Sequence, residues 1–145
     1  MIVVRNIPYA TDFSSYSNLA YFHAVALAES RSLKLTILHV YTPHDASHST
    51  ASQEIDRIHW RTHLEQIRPL NENILSQYVF LESKPAEEII RYATESRMDM
   101  IVLGTHGRTG KELKLMGSVA EKVLCGAPCS VLVIIMPSAG SHSME

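Results

Sequence analysis

Residues 104–118, GTHGRTGKELKLMGS, bring four glycines, three cationic side chains and His106 into one short stretch that follows an apolar run. Glycine-rich loops of this kind cradle phosphate when they follow a strand and open a helix. Two well-known patterns fail here. The P-loop, G-x-x-x-x-G-K-[ST], aligns with Gly110-Lys111 but then places Thr105 at its first glycine and Glu112 at its hydroxyl position. The dinucleotide fingerprint, G-x-G-x-x-G, takes Gly107 and Gly110 as its last two glycines and meets Thr105 again; it also belongs after a first strand. A third spacing does fit: Gly104, two residues, Gly107, nine residues, then Gly117-Ser118. Glycines at 104 and 107 allow close approach of backbone to a ligand and tolerate positive φ. Gly117-Ser118 opens a helix, where free N–H groups and the dipole attract an anion and a serine hydroxyl adds a donor. Arg108, Lys111 and Lys114 bring positive charge to the same stretch. On the loop alone, a phosphate site and a tight turn with a solvated basic surface stand level.

Other reactive side chains carry weaker signals. His59 and His63 have the i,i+4 spacing of metal ligands, but no third ligand accompanies them and the setting WRTHLEQ reads as a solvated face. His39 lies inside an apolar strand and reads as a satisfied core histidine. Cys125 and Cys129 flank Gly-Ala-Pro, not C-x-x-C, and read as packing residues. His106 lies within the motif and reads as a loop-positioning residue and not as a general base. Hydrolysis of a bound nucleotide finds no assignable arginine finger, general base or Walker-type serine, so any ATPase activity is expected to be slow.

Alternating elements must hold these residues. Five apolar runs read as strands: Ile2 to Ala10, Leu33 to Tyr41, Gln77 to Leu81, Asp99 to Gly104 and Ser130 to Met136. Three are almost continuously apolar, as strands buried on both faces are. Helical patterns separate them. The first carries Tyr16, Leu19, Phe22 and Ala26 on one face, with Ser14 or Ser15 as cap. The second covers Ser52 to Ile67, its apolar face starting at Ile55 and Ile58, before Pro69. The third opens at Ser83-Lys-Pro85 with a capping serine, first-turn proline and Glu87-Glu88, and runs to about Ser96. The fourth runs from Gly117-Ser118 to Gly126-Ala127-Pro128. Such a βαβ series builds an α/β fold, a doubly wound, open, Rossmann-like parallel sheet of five strands with helices on both faces. Pro8 within strand one removes a ladder hydrogen bond, and the spacing predicts a bulge or break there that shifts Asp12. Thr42 to Ala51 reads as a polar linker.

Across nearly the whole chain, and in order, several segments resemble the universal stress protein family, specifically its ATP-binding branch. They are Ala10-Thr11-Asp12-Phe13-Ser14, Leu38-His39-Val40, Pro85-Ala86-Glu87-Glu88-Ile89, the glycine spacing above, and Ala127-Pro128-Cys129-Ser130-Val131-Leu132-Val133. The resemblance implies strand order 3-2-1-4-5 and a nucleotide held between the ends of the first and fourth strands. It implies roles for Ala10, Thr11 and Asp12, and for Val40, whose backbone would meet adenine. Leu103, Gly104, His106, Gly107 and Arg108 would follow the ribose and inner phosphate, and Gly117, Ser118, Val119 and Ala120 would cap the outer phosphates. The implied cofactor is ATP, ADP or AMP with Mg or Mn, the divalent ion near Asp12, which as an ionised acceptor suits a ribose hydroxyl or a metal. Ala10 stands where the family often has proline, and Ala120 where some ATP binders have a hydroxyl.

The implied role is a nucleotide-dependent stress-response regulator that pairs through its last strand, Ser130 to Met136, as a homodimer. An apolar strand at a sheet edge supports that pairing, since it leaves backbone groups open. Two other readings are a slow ATP-hydrolysing or nucleotide-transferring enzyme and a nucleotide-free dimeric adaptor; the intact glycine spacing argues against the adaptor. The chain of 145 residues reads as one domain over 1–136 with a tail at 137–145. A net charge of −2 gives no general drive toward nucleic acid or anionic lipid. The N-terminal residues lack the pattern of a signal peptide, no apolar run approaches ~18 residues, and two cysteines make no disulfide framework. The expected location is cytoplasmic.

Overall fold

The computed structural model describes residues 5–43, 50–106 and 117–136. Strands and helices alternate: β1 (Asn6–Ala10), α1 (Ser15–Arg31), β2 (Lys34–Tyr41), α2 (Thr50–Glu65), β3 (Ser76–Glu82), α3 (Pro85–Glu95), β4 (Met100–His106), α4 (Ser118–Gly126) and β5 (Ser130–Met136). The strands form one parallel sheet in the order β3-β2-β1-β4-β5, as the family resemblance implies. Ile2 to Val4, the linker residues 44–49 and the tail 137–145 lie outside the described residues.

Alternation along the strands divides the core in two. Ile7, Tyr9, Leu35, Ile37 and Val102 point to the side of α1 and α2, where Ala20, Ala24, Ala28 and Leu64 complete one cluster. Leu38, Val40, Ile101 and Leu103 point the opposite way, onto Ala86, Ile89, Ala93, Ala120 and Val123 of α3 and α4. This is the period-two arrangement of a sheet covered on both faces.

Three helix details differ from the sequence reading. In α1 the buried face is Ser17, Ala20, Ala24 and Ala28, while Tyr16, Phe22 and Ala26 are exposed. The helix lies so close to the sheet that a Cβ on Gly104 of β4 would come within 2.2 Å of the Tyr16 carbonyl oxygen, so the contact face takes the smallest residues. In α2 Ile55 and Ile58 are exposed, and Leu64 is the buried residue. That helix seats itself through long polar and aromatic side chains: Arg57 pairs with Glu82, the Arg61 guanidinium lies 4.7 Å over the Phe80 ring, and Trp60 stacks on Phe13 at 5.2 Å. In α3 the cap is Lys84, not Ser83. Pro85 takes the first helical position and forces the preceding residue into extended backbone, so the boundary falls one residue later.

Pro8 produces no bulge against β2, where Asn6 to Ala10 pair without interruption with Lys34 to Leu38. Its effect falls on the other side. The Thr11 N–H donates to the Leu38 carbonyl at 2.9 Å, so odd-numbered residues of β1 bond to β2 and even-numbered ones face β4. The N–H that proline lacks is therefore one that would have pointed at β4. Only Tyr9↔Val102 registers across that junction. A single-sided gap replaces the expected bulge, and Asp12 follows a regular strand.

Candidate functional site

The strand order reverses between β1 and β4, and ligands of open α/β sheets bind beyond the carboxyl ends of the strands at such a point. A crevice of about 370 Å³ lies there. That is within the usual ~300–1,000 Å³ of small-molecule sites. Its walls come from the end of β1 (Ala10, Thr11, Asp12), from Leu38 to Val40, from Leu103 to Thr105 and from the starts of three helices.

The β1 end is held by local hydrogen bonds. Thr11 is buried; its hydroxyl accepts from the Phe13 N–H at 2.9 Å and lies 3.0 Å from the Ser17 hydroxyl. Ser17 gives its one hydroxyl proton to the Ser14 carbonyl at 2.9 Å, so Thr11 is the donor of that pair. Tyr9, fully buried, donates to the Ser17 carbonyl at 2.5 Å. Asp12 is exposed, and one carboxylate oxygen accepts from the Ser14 N–H at 2.9 Å. Phe13 pays for the turn with a left-handed backbone, φ 66°, and is wedged between Trp60, His39 at 4.5 Å and His63 at 4.7 Å. His39 places Nδ1 2.8 Å from the Thr11 carbonyl, which ties β2 to the same turn. Burial lowers its basicity, with the Thr11 bond and the Asp12 charge acting in the opposite direction.

Val40 enters through its backbone. The Leu38 carbonyl bonds to β1, and N–H and C=O directions alternate along a strand, so Val40 also presents both groups to the β1 side. It lies beyond the last registered pair, Ala10↔Leu38. Its polar groups thus face the crevice while its side chain packs between the sheet and α3 and α4.

The three helix starts differ in how much of their positive end remains open. Ser14 caps α1 by accepting from the Ser17 N–H. Helix α3 begins with proline, which has no N–H, and has Glu87 and Glu88 in its first turn. Helix α4 has Gly117 as N-cap and no side-chain cap. Its first bond of this kind is from the Glu121 N–H to the Gly117 carbonyl at 3.1 Å, so the N–H groups of Ser118, Val119 and Ala120 have no partner within the helix.

Of the residues singled out in the sequence, Ala10, Thr11, Asp12, Val40, Leu103, Gly104, Gly117, Ser118, Val119 and Ala120 all line this crevice. His106 ends β4. Gly107, Arg108, Gly110, Lys111 and Lys114 lie outside the described residues. Gly104 has ordinary strand backbone without positive φ, and what approaches it closely is Tyr16. Sequence reasoning missed Thr105, which is buried and whose hydroxyl accepts from the Gly117 N–H at 2.7 Å. Ser14, one of the two caps read from the sequence, does cap α1, whereas the bonding of Ser17 to Tyr9 and Thr11 was not foreseen. His59 and His63 are exposed on α2, Cys125 is exposed, and burial raises the half-buried Cys129 thiol. No described helix is long and apolar enough to cross a membrane.

Fold and crevice together define a Rossmann-like parallel α/β protein with a crevice at the sheet's switch point. A model of the universal stress protein family matches residues 4–134, and the chain belongs to that family. A putative universal stress protein of Staphylococcus aureus is 31% identical over 144 residues, covering 92% of this chain and 86% of that protein. One universal stress protein of Methanocaldococcus jannaschii is 51% identical over 57 residues, and the match spans 39% of this chain and about a third, 34%, of that relative. A similar match to a Methanothermobacter thermautotrophicus universal stress protein spans 44% of its length. The solved structure of MJ0577, a universal stress protein of M. jannaschii, superposes with TM-score 0.76 at 25% identity, over 92% of this chain and 97% of that one. Two others share the fold. A universal stress protein in complex with cAMP gives TM-score 0.59 at 20% identity, covering 90% of this chain and 95% of that one. One from Archaeoglobus fulgidus in complex with dAMP gives 0.57 at 19%, covering 92% and 99%.

Proposed function

We propose that the protein binds an adenine nucleotide, ATP or its ADP and AMP forms, in the crevice between β1 and β4 and acts as a nucleotide-dependent regulator. One observation carries this reading: α4 opens an N-terminus without a side-chain cap into a crevice that the strand-end residue Val40 also lines. A helix start of that kind attracts phosphate, and paired N–H and C=O groups on an exposed strand end match the edge of a purine. Asp12 sits at the strand end as an acceptor for ribose hydroxyls, and Thr11 and Ala10 hold it there. Leu103 and Gly104 run along the ribose. The N–H groups of Ser118, Val119 and Ala120 and the Ser118 hydroxyl meet phosphate oxygens. His106, Gly107 and Arg108 belong to the same proposed site through the glycine pattern. The cAMP and dAMP complexes among proteins of this fold are in keeping with an adenine ligand.

A divalent ion fits this site only as a companion of the phosphates. Among the described residues no group of three or more His, Cys, Asp or Glu side chains converges to hold a metal. Asp12 would contribute a carboxylate oxygen and phosphate oxygens the remaining ligands, so Mg or Mn would serve to neutralise phosphate charge.

The edge position of β5, with Ile135 47% exposed, suits strand-to-strand pairing with a second copy. Nucleotide occupancy at the β1–β4 junction, one strand away, would then bias that association.

Mass spectrometry of small molecules released from the purified protein, followed by calorimetric titration with ATP, AMP and adenosine, tests the reading. An adenine nucleotide in the released fraction and micromolar affinity are expected, with Gly117→Asp abolishing binding by placing a carboxylate at the helix start. No released nucleotide together with no heat of binding up to ~1 mM would overturn it.

A further inference from the structure

The glycine pattern assigns no function to its second residue, Thr105. The structure assigns it one: we propose that Thr105 is a positioning residue that clasps the start of α4 and so fixes which N–H groups the phosphates meet. This rests on the adenine-nucleotide reading above.

Thr105 lies in β4, is 5% exposed and lines the crevice. Its hydroxyl oxygen accepts from the Gly117 N–H at 2.7 Å, across twelve positions of chain. The bond has two consequences. It consumes the N–H of the N-cap, so the phosphate-facing set is Ser118, Val119 and Ala120 and does not include Gly117. It also anchors the helix start to the sheet at the point where the crevice is formed, since β4 is itself held in full register by β5 from Met100 to His106. Preorganised donors give up less freedom on binding than donors that must first be ordered.

The space at Gly117 agrees with this. A Cβ there would stand 3.4 Å from the Thr105 oxygen, which is the near neighbour of the N-cap position among the described residues. The Gly117 backbone is extended at φ −71°, which any residue adopts. Glycine is therefore not required at 117 by its own conformation, and the placing of α4 falls to the threonine.

Thr105→Val keeps shape and volume and removes the acceptor; Thr105→Ser keeps the acceptor. Titration of wild type and both variants with ATP, AMP and adenosine separates positioning from general damage. Thr105→Val should lose about tenfold or more in affinity for ATP and AMP while adenosine stays within about twofold, and Thr105→Ser should restore the wild-type ratio. Unchanged ATP affinity in Thr105→Val, equal losses for all three ligands, or no rescue by serine would each overturn the clasp.

A second measurement needs no variant. Amide hydrogen exchange on the full wild-type chain should show Gly117 protected relative to Ser118 and Val119. Exchange of Gly117 as fast as its two neighbours would refute the bond whatever the variants do. Should wild type bind none of the three ligands, the nucleotide reading fails, while the exchange experiment still decides the clasp.

Discussion

Gly104→Ala tests whether this glycine serves the fold or the ligand. The new methyl carbon would lie 2.2 Å from the Tyr16 carbonyl oxygen, 2.8 Å from its carbon and 3.2 Å from the Ser17 nitrogen. These are backbone atoms of α1, so no side chain can swing aside. Relief requires the helix start to move by roughly 1 Å, an overpacking strain worth about 1–3 kcal/mol. The movement also stretches the bonds that Ser17 makes, the 2.5 Å bond from Tyr9 and the 3.0 Å contact with Thr11. Losing one buried bond adds about 1 kcal/mol. The sum, about 2–4 kcal/mol, lowers the Tm of a chain this size by roughly 5–15 °C. Thermal and urea unfolding followed by circular dichroism, on protein freed of nucleotide, gives the answer. A variant within ~0.5 kcal/mol of wild type that nonetheless loses ligand affinity would refute the packing argument and return Gly104 to ligand approach alone.

Two further outcomes follow from the same network. Burial holds the His39 imidazole below its ordinary value of 6.5, so the unfolded chain binds the proton more readily and native stability falls as pH drops below about 6.5, down to the depressed folded value. His39→Phe should therefore show a shallower loss of stability between pH 7 and 5 in urea titrations; identical slopes would remove His39 from the acid response. Ile135→Lys sets a charge on the exposed part of β5 and is expected to shift the proposed dimer to monomers in sedimentation equilibrium. A dimer of unchanged affinity would exclude this edge as the interface.

The elements were legible where composition and geometry agree. Ser130 to Met136 is apolar without interruption and is a strand at those bounds. The β-α-β alternation, with the family resemblance, led to the observed strand order. Helix faces were less legible, because hydrophobicity ranks Phe22 and Tyr16 above alanine, whereas close packing on β4 selects for size. The stripe Ser17, Ala20, Ala24 and Ala28 has the same helical period, but its small side chains give little hydrophobic signal. On α2, Ile55 and Ile58 suggested an apolar contact that Arg57, Trp60 and Arg61 make in their place.

At the candidate site the described residues named from sequence, His106 aside, line one crevice, but the geometry that makes them useful is a matter of register. Val40 faces the crevice because it stands two residues after Leu38, whose carbonyl bonds to Thr11. Slide β2 by one residue and the same groups turn toward β3. Pro8 obeys the same parity: its missing N–H lies on the β4 side, so the β2 ladder that sets the register stays whole while the junction beside the crevice is left short. A proline at residue 7 or 9 would have removed a bond to β2 and loosened the register on which Val40 depends. Position 8 is thus the odd-even choice that permits proline in a central strand of this sheet, and neither composition nor motif spacing reveals it until the Thr11–Leu38 bond is known.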